Sequence, residues 1–373
     1  VEIPKELKPR DGRFGSGPSK VRKEQLDALV ASNPKYLGTS HRKKPVKDEV
    51  KKLRTNLKQL FSLPDEYEVI LGNGGTTAFW DAAIFGLIKN DAQFLSFGEF
   101  SSKFASGAKA APHINNVDIQ KSEPGTAPNF VPNATFDTYA TAHNETSTGV
   151  MPSFTKPVGA ASDSLLLVDA TSAAGGALVD AKDFDVYYFA PQKSFGSDGG
   201  LWFALMSPAA LARIAEVKET NRYQPPFLDL SIAVENSLLD QTYNTPALST
   251  ILMMSAQVDW ILSNGGLKWS DARTKESSQV IYQWAESKDF ATPFVTDVAL
   301  RSQVVATIDF DESIDAVALA DFLRANGIVD TDSYRKLGRN QLRVATFPAI
   351  EPDDVRALTA CIDWSVENYS TKS

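Results

Sequence analysis

The chain has 373 residues, 43% hydrophobic and 23% charged, with 38 basic against 46 acidic residues and a net charge of −8. That length allows two ordinary domains, and that composition is globular rather than disordered or collagenous. The acidic balance, with no long basic run, argues against nucleic acid as a main partner, so any bound anion must be held by a local cluster of positive groups.

The single cysteine, Cys361, permits no intramolecular disulfide and fits a reducing compartment. Residues 1–10 are charged and contain no signal-peptide apolar core. The apolar stretch 82–88 is too short to span a bilayer and is closed by Asp81 and Lys89. A soluble, cytoplasmic protein without a membrane partner is expected.

In chain order, Val46, Val50, Leu53, Leu57, Leu60 and Phe61 recur at helical spacing and predict an amphipathic helix over 46–61. A short strand over 68–71 runs into Gly72-Asn73-Gly74-Gly75-Thr76-Thr77 and then an apolar helix over 78–88. Strands follow over 93–97, 165–168, 186–189 and 201–205. The run Leu165-Leu166-Leu167-Val168 is continuous, as in a strand covered on both faces. Ser207-Pro208 caps a further helix. Alternating strands and helices predict an α/β fold with a mostly parallel central sheet flanked by helices.

A helix from about 248 is broken by Asn264-Gly265-Gly266, and the texture then changes. A long polar helix (267–287), a strand (303–310), a helix (314–326), a strand (341–345) and a last helix (353–369) predict a smaller α+β C-terminal domain. The expected division is 16–264 for the large domain and 265–373, with 1–15, for the small one. No internal repeat is visible.

Two residues stand where strands leave the core. Asp169 follows the strand 165–168, and Lys193 follows the strand 186–189 through Ala190-Pro191-Gln192. Open α/β sheets bind ligands at strand carboxyl ends. Singly, Asp169 also reads as a turn residue and Lys193 as a surface lysine. Together they would bring an acid and an amine to one edge of the sheet. Pyridoxal phosphate needs that pair: an amine for its aldehyde and a carboxylate for its ring nitrogen. Gly74-Gly75-Thr76-Thr77 before a helix would give backbone N–H groups and hydroxyls for a phosphate, although it is no P-loop. The three histidines, His41, His113 and His143, have no metal-ligand spacing, so no metal is expected.

Seven short motifs resemble, in order, those of the phosphoserine aminotransferase family in the class V branch of fold-type I aminotransferases. They are Ser16-Gly17-Pro18, Ser40-His41-Arg42, Gly74-Gly75-Thr76-Thr77, Asn144-Glu145-Thr146, Asp169, Gln192-Lys193 and Asn244-Thr245-Pro246. The resemblance covers essentially the whole chain and implies a fold-type I transferase with pyridoxal 5′-phosphate as cofactor. It implies Lys193 as the lysine bonded to the cofactor and Asp169 as the partner of the ring nitrogen. Thr146 would meet the ring hydroxyl, and Thr76, Thr77 and Gln192 would hold the cofactor phosphate. Asn244 and Thr245 would reach that phosphate from a second subunit of a homodimer with shared sites.

Where many members carry a ring-stacking tryptophan, this chain has Phe100, with Phe104 as a competitor. Many members have arginine in the phosphate turn, where this chain has Thr76-Thr77. For the substrate, the resemblance implies Arg343 on the α-carboxylate and His41 and Arg42 on the distal phosphate or γ-carboxylate, with Arg335 and Arg339 as further candidates. The implied reaction exchanges an amino group between phosphoserine with 2-oxoglutarate and phosphohydroxypyruvate with glutamate, in serine biosynthesis. A class V enzyme acting on alanine–glyoxylate or serine–pyruvate is the alternative. A desulfurase would need a mobile cysteine, whereas Cys361 falls within the last helix. An inert scaffold is hard to square with Lys193, Asp169 and Arg343 together.

Overall fold

A computed structural model describes residues 2–369. The chain begins with α1 (Lys23–Ser32), α2 (Lys44–Leu60), β1 (Glu68–Asn73), α3 (Gly75–Gly86), β2 (Asp91–Ser96), α4 (Glu99–Ala110), β3 (Asn116–Lys121) and β4 (Thr138–Ala142). It continues through β5 (Leu165–Asp169), β6 (Val186–Phe189), β7 (Leu201–Met206), α5 (Pro208–Glu219), α6 (Leu230–Leu238) and α7 (Leu248–Ser263). The rest comprises α8 (Gly266–Glu286), β8 (Ala291–Pro293), β9 (Val305–Phe310), α9 (Ala316–Ala325), β10 (Gln341–Ala345) and α10 (Pro352–Asn368).

Seven strands form one sheet in the order β1-β7-β6-β5-β4-β2-β3. The pairs β6–β5, β5–β4, β4–β2 and β2–β3 are parallel. The central strands β4, β5 and β6 are buried at every position, because helices cover both faces. β7 runs antiparallel between β1 and β6. Its direction follows from the helix-free loop 190–200 that joins it to β6, which is too short for the crossover a parallel neighbour needs.

Several elements lie outside the sequence expectations: α1, α4, α6, β3, β4 and β8. β4 reads Thr-Tyr-Ala-Thr-Ala and α4 is rich in Ser, Ala and Gly. Neither carries the bulky periodic residues that mark an element, and packing rather than propensity fixes them.

A second, antiparallel sheet runs β10-β9-β8. Its core gathers Ile281, Ile308, Leu319, Leu342 and Leu358 with Ile3 and Phe14 from the start of the chain. Phe14 is held there by its N–H to Val329 O at 3.2 Å and by Ala345 N–H to Phe14 O at 3.0 Å. Helix α8 serves both cores, with Leu267 in the first and Ile281 in the second. Among the described residues no helix is long and apolar enough to cross a membrane.

His143, just past β4, is buried with Nδ1 2.9 Å from the Tyr187 hydroxyl and its ring edge-on to Phe154. Burial lowers its pKa from 6.5 to about 4. Between those values the unfolded chain binds the extra proton, so folded stability falls as pH falls through that window, and the whole penalty is present below about 4. His143→Asn should therefore flatten the acid limb of the stability profile. At about pH 4.5 the variant should recover about 2–3 kcal/mol relative to its own deficit at neutral pH. Urea unfolding at the two pH values checks this, and an unchanged acid limb contradicts it.

Candidate active site

β5 and β6 are parallel neighbours, so their carboxyl ends open on the same edge of the sheet, with Asp169 in register with Tyr188. Asp169 ends β5 and is buried. Oδ1 accepts from the Thr171 backbone N–H at 2.9 Å and from its hydroxyl at 2.5 Å. Oδ2 accepts from the Trp80 indole N–H at 3.0 Å. Burial pushes the carboxyl pKa up, and these donors oppose it.

The loop after β6 carries Lys193 to the same place. Its ammonium donates to the Ser16 carbonyl. Gly17, at φ +136°, lies so close to the lysine that a Cβ there would collide with its side chain. Lys193 is lowered to about 8, first by burial and then by the charge of Arg343, while Asp169 pulls the other way. A lysine so placed is partly neutral near physiological pH.

Lys193 and Asp169 line one cavity of about 120 Å³. Its far wall is the first turn of α3. Gly74 precedes the helix in the left-handed region, φ +109°, and no side chain caps it. The first N–H groups of α3 therefore lack intrahelical partners, and Thr76 and Thr77 line the cavity beside them. Such an end accepts an anion.

Gln192 and Asn144 also line the cavity, and each has a buried amide oxygen without a partner. These amides remain available to a bound polar group. Thr146 stands opposite, its hydroxyl 2.8 Å from that of Ser172. Phe100 lines the cavity, whereas Phe104 packs into the core edge-on to Phe94 at 5.0 Å. An amine, a buried acid, an open helix end and a half-buried flat ring around one cavity fit pyridoxal phosphate.

Arg343, on β10, approaches from the second sheet. Its Nη1 donates to Thr146 O at 3.2 Å, while its buried Nε has no partner. Four other expected residues gather elsewhere. Asn244 accepts from Asn73 Nδ2 at 2.7 Å, Thr245 Oγ1 lies 3.4 Å from His41 Nδ1, and Arg42 Nη2 donates to Tyr243 O at 3.2 Å. His41 Nε2 is buried without a partner. His41, Arg42, Asn244 and Thr245 are not among the residues lining the cavity of their own chain.

Arg339 and Arg335 are not brought to the cavity either. The β9–β10 register sets Gln341 against Asp309, and Arg339 forks onto that Asp309 carboxylate and lies over the Phe294 ring at 4.5 Å. Arg335 is exposed on the short turn Arg335–Leu337. Cys361 is buried in α10, donates to Leu7 O at 3.3 Å, and is raised to about 11 by burial, the opposite of a reactive thiol. Among the described residues no three His, Cys, Asp or Glu side chains gather for a metal ion.

The sequence reading passed over Trp80 and Thr171, the two residues that hold Asp169. Trp80 lay hidden in an apolar run. The available signal was its spacing four residues after Thr76, which puts both on one face of α3.

The chain belongs to the class-V aminotransferase family, whose model, aminotransferase class-V, matches residues 14–331. The fold is that of the fold-type I transferases. Over 364 residues the chain is 59% identical to a phosphoserine aminotransferase of Rhodococcus jostii, covering 98% of this chain and 97% of that protein. Among solved structures, a phosphoserine aminotransferase from Cytophaga hutchinsonii aligns with a TM-score of 0.86 at 22% identity, covering 96% of this chain and 99% of that one. A pyridoxal-phosphate-bound phosphoserine aminotransferase from Trichomonas vaginalis aligns at 0.81 and 20% identity, covering 95% and 100%. At those identities the structures speak for the fold alone.

Proposed function

We propose that the chain transfers the amino group between phosphoserine and 2-oxoglutarate, using pyridoxal 5′-phosphate held between Lys193 and Asp169. The observation that carries this reading is the single cavity lined by both residues and by the open N-terminus of α3. When bound, the cofactor supplies an electron sink for the pair released at the substrate α-carbon.

Lys193 would hold the cofactor aldehyde through its amine and, once freed by the substrate amine, would serve as the base that carries the proton from the substrate α-carbon to the cofactor's C4′. Asp169 holds the proton on the ring nitrogen. Thr76, Thr77 and Gln192 bind the cofactor phosphate, and Thr146 meets the ring hydroxyl. Phe100, which lines the cavity, would lie against the ring. Arg343 offers its unpaired Nε to the substrate α-carboxylate. In a homodimer, the cluster of His41, Arg42, Asn244 and Thr245 faces the partner's cavity, where His41 and Arg42 bind the distal phosphate. Arg335 is a further candidate for the distal phosphate, although it does not line the cavity of its own chain. Arg339 is the weaker candidate, since Asp309 already neutralises it. The division between large and small domains is proposed at 264–265, and the compartment is the cytoplasm.

Turnover of phosphoserine against alanine and serine tests the reading. Phosphoserine should be preferred by about 100-fold or more in kcat/KM, a margin that two charge-assisted contacts supply. A preference for alanine or serine favours the alanine–glyoxylate or serine–pyruvate alternative. Arg42→Ala should raise KM for phosphoserine about tenfold to 100-fold and leave KM for alanine unchanged.

Apoprotein capture of the cofactor should also accelerate as pH rises through about 8, because only the neutral Lys193 amine attacks. Arg343→Met removes a nearby positive charge, so the inflection should move to higher pH. Stopped-flow absorbance across a pH series reads both effects, and a rate indifferent to pH around 8 contradicts the assignment.

A further inference from the structure

We propose that Trp80 is a positioning residue for Asp169, its indole N–H keeping that carboxylate an acceptor so that the cofactor's ring nitrogen retains its proton. The inference rests on the cofactor reading given above.

Trp80 lies on α3, four residues after Thr76, so one face of one helix presents an open N-terminus at one end of the cavity and an indole one turn further on. The indole is 7% exposed and stacks on Phe104, with ring centroids 6.1 Å apart and planes at 14°. Phe104 is itself wedged edge-on between Phe94 at 5.0 Å and Tyr188 at 6.2 Å. The indole therefore has little room to swing, and its N–H stays aimed at Asp169 Oδ2, 3.0 Å away.

An indole nitrogen only donates. The Thr171 backbone N–H on Oδ1 is equally one-way. Each carboxylate oxygen thus faces an obligatory donor. A proton shared between Asp169 and the ring nitrogen can rest on either partner. Hydrogen bonds to an ionised oxygen are about twice as strong as those to a neutral one. Two fixed donors therefore favour the carboxylate, and the proton rests on the ring nitrogen, where electron withdrawal requires it. Trp80 also lines the cavity, but its one polar group, the indole N–H, is taken up by Asp169, and through that acid it acts.

The test compares apoprotein affinity for pyridoxal phosphate with that for its 1-deaza analogue, in which carbon replaces the ring nitrogen. Wild type should prefer pyridoxal phosphate. In Trp80→Phe, which keeps an aromatic ring against Phe104, that preference should shrink about tenfold, with deaza affinity nearly unchanged. Trp80→His, which keeps an N–H, should recover part of it. Equal weakening of both ligands in Trp80→Phe means that the indole only fills space, and overturns the proposal. A wild type that binds neither ligand overturns the cofactor reading instead. Should Trp80→Phe fail to fold, the wild-type protein decides: the ¹⁵N-indole resonance of Trp80 should differ between the two bound ligands, and an identical resonance overturns the proposal.

Discussion

Replacing Lys193 with alanine is expected to lower transamination by about 10⁴-fold or more, because in the proposed role the same amine would both anchor the cofactor and move the α-carbon proton. No neighbouring base stands ready to replace it. Asp169 is acceptor to three donors, and Arg343 stays protonated. The variant should bind pyridoxal phosphate reversibly and lose its colour on dialysis. Its apoprotein should be no less stable than wild type, since a buried amine lowered to about 8 is held at a cost that alanine removes. Steady-state turnover, absorbance after dialysis and thermal unfolding together check this. Activity within tenfold of wild type contradicts the role.

Asp169→Asn is expected to lower kcat about 10³-fold while the fold survives. The amide is isosteric, so the volume of the cavity should persist, but its single oxygen accepts from Trp80 or from Thr171 and not from both, and its NH2 is left against the other donor at some cost in stability. The missing element is negative charge: the amide cannot hold a proton on the ring nitrogen, and the electron sink weakens. The acid also props up the charge on Lys193, so its loss should lower the lysine pKa and shift cofactor capture toward lower pH. Single-turnover rates with phosphoserine measure the first effect. A variant whose rate falls less than tenfold places the electron-withdrawing partner elsewhere.

The sequence made β5 and β6 legible because β5 is apolar up to its closing Asp169 and β6 is apolar and aromatic, and the loop that leaves β6 reaches Lys193 within a few residues. The glycine turn before α3 was equally plain. Where the fold depends on distant packing, the pattern was silent. β4 and α4 are built from small residues, so no periodicity announced them, and Phe100 could not be chosen over Phe104 until α4 had a face. Arg339 looked available because its partner, Asp309, is brought alongside only by the β9–β10 register. Trp80 was masked by its apolar neighbours, although its N–H is the part that meets Asp169. The cluster of His41, Arg42, Asn244 and Thr245 spans more than 200 residues of sequence, and only the folded chain shows that Asn73 ties part of it to the turn before α3.

Borohydride reduction of the pyridoxal-phosphate-loaded protein, followed by peptide mapping, tests the account most directly. A single pyridoxyl adduct on Lys193, lost in advance when phosphoserine is added, is the outcome expected. An adduct on another lysine, or none at all, contradicts the claim that this amine and the buried acid beside it serve one ring.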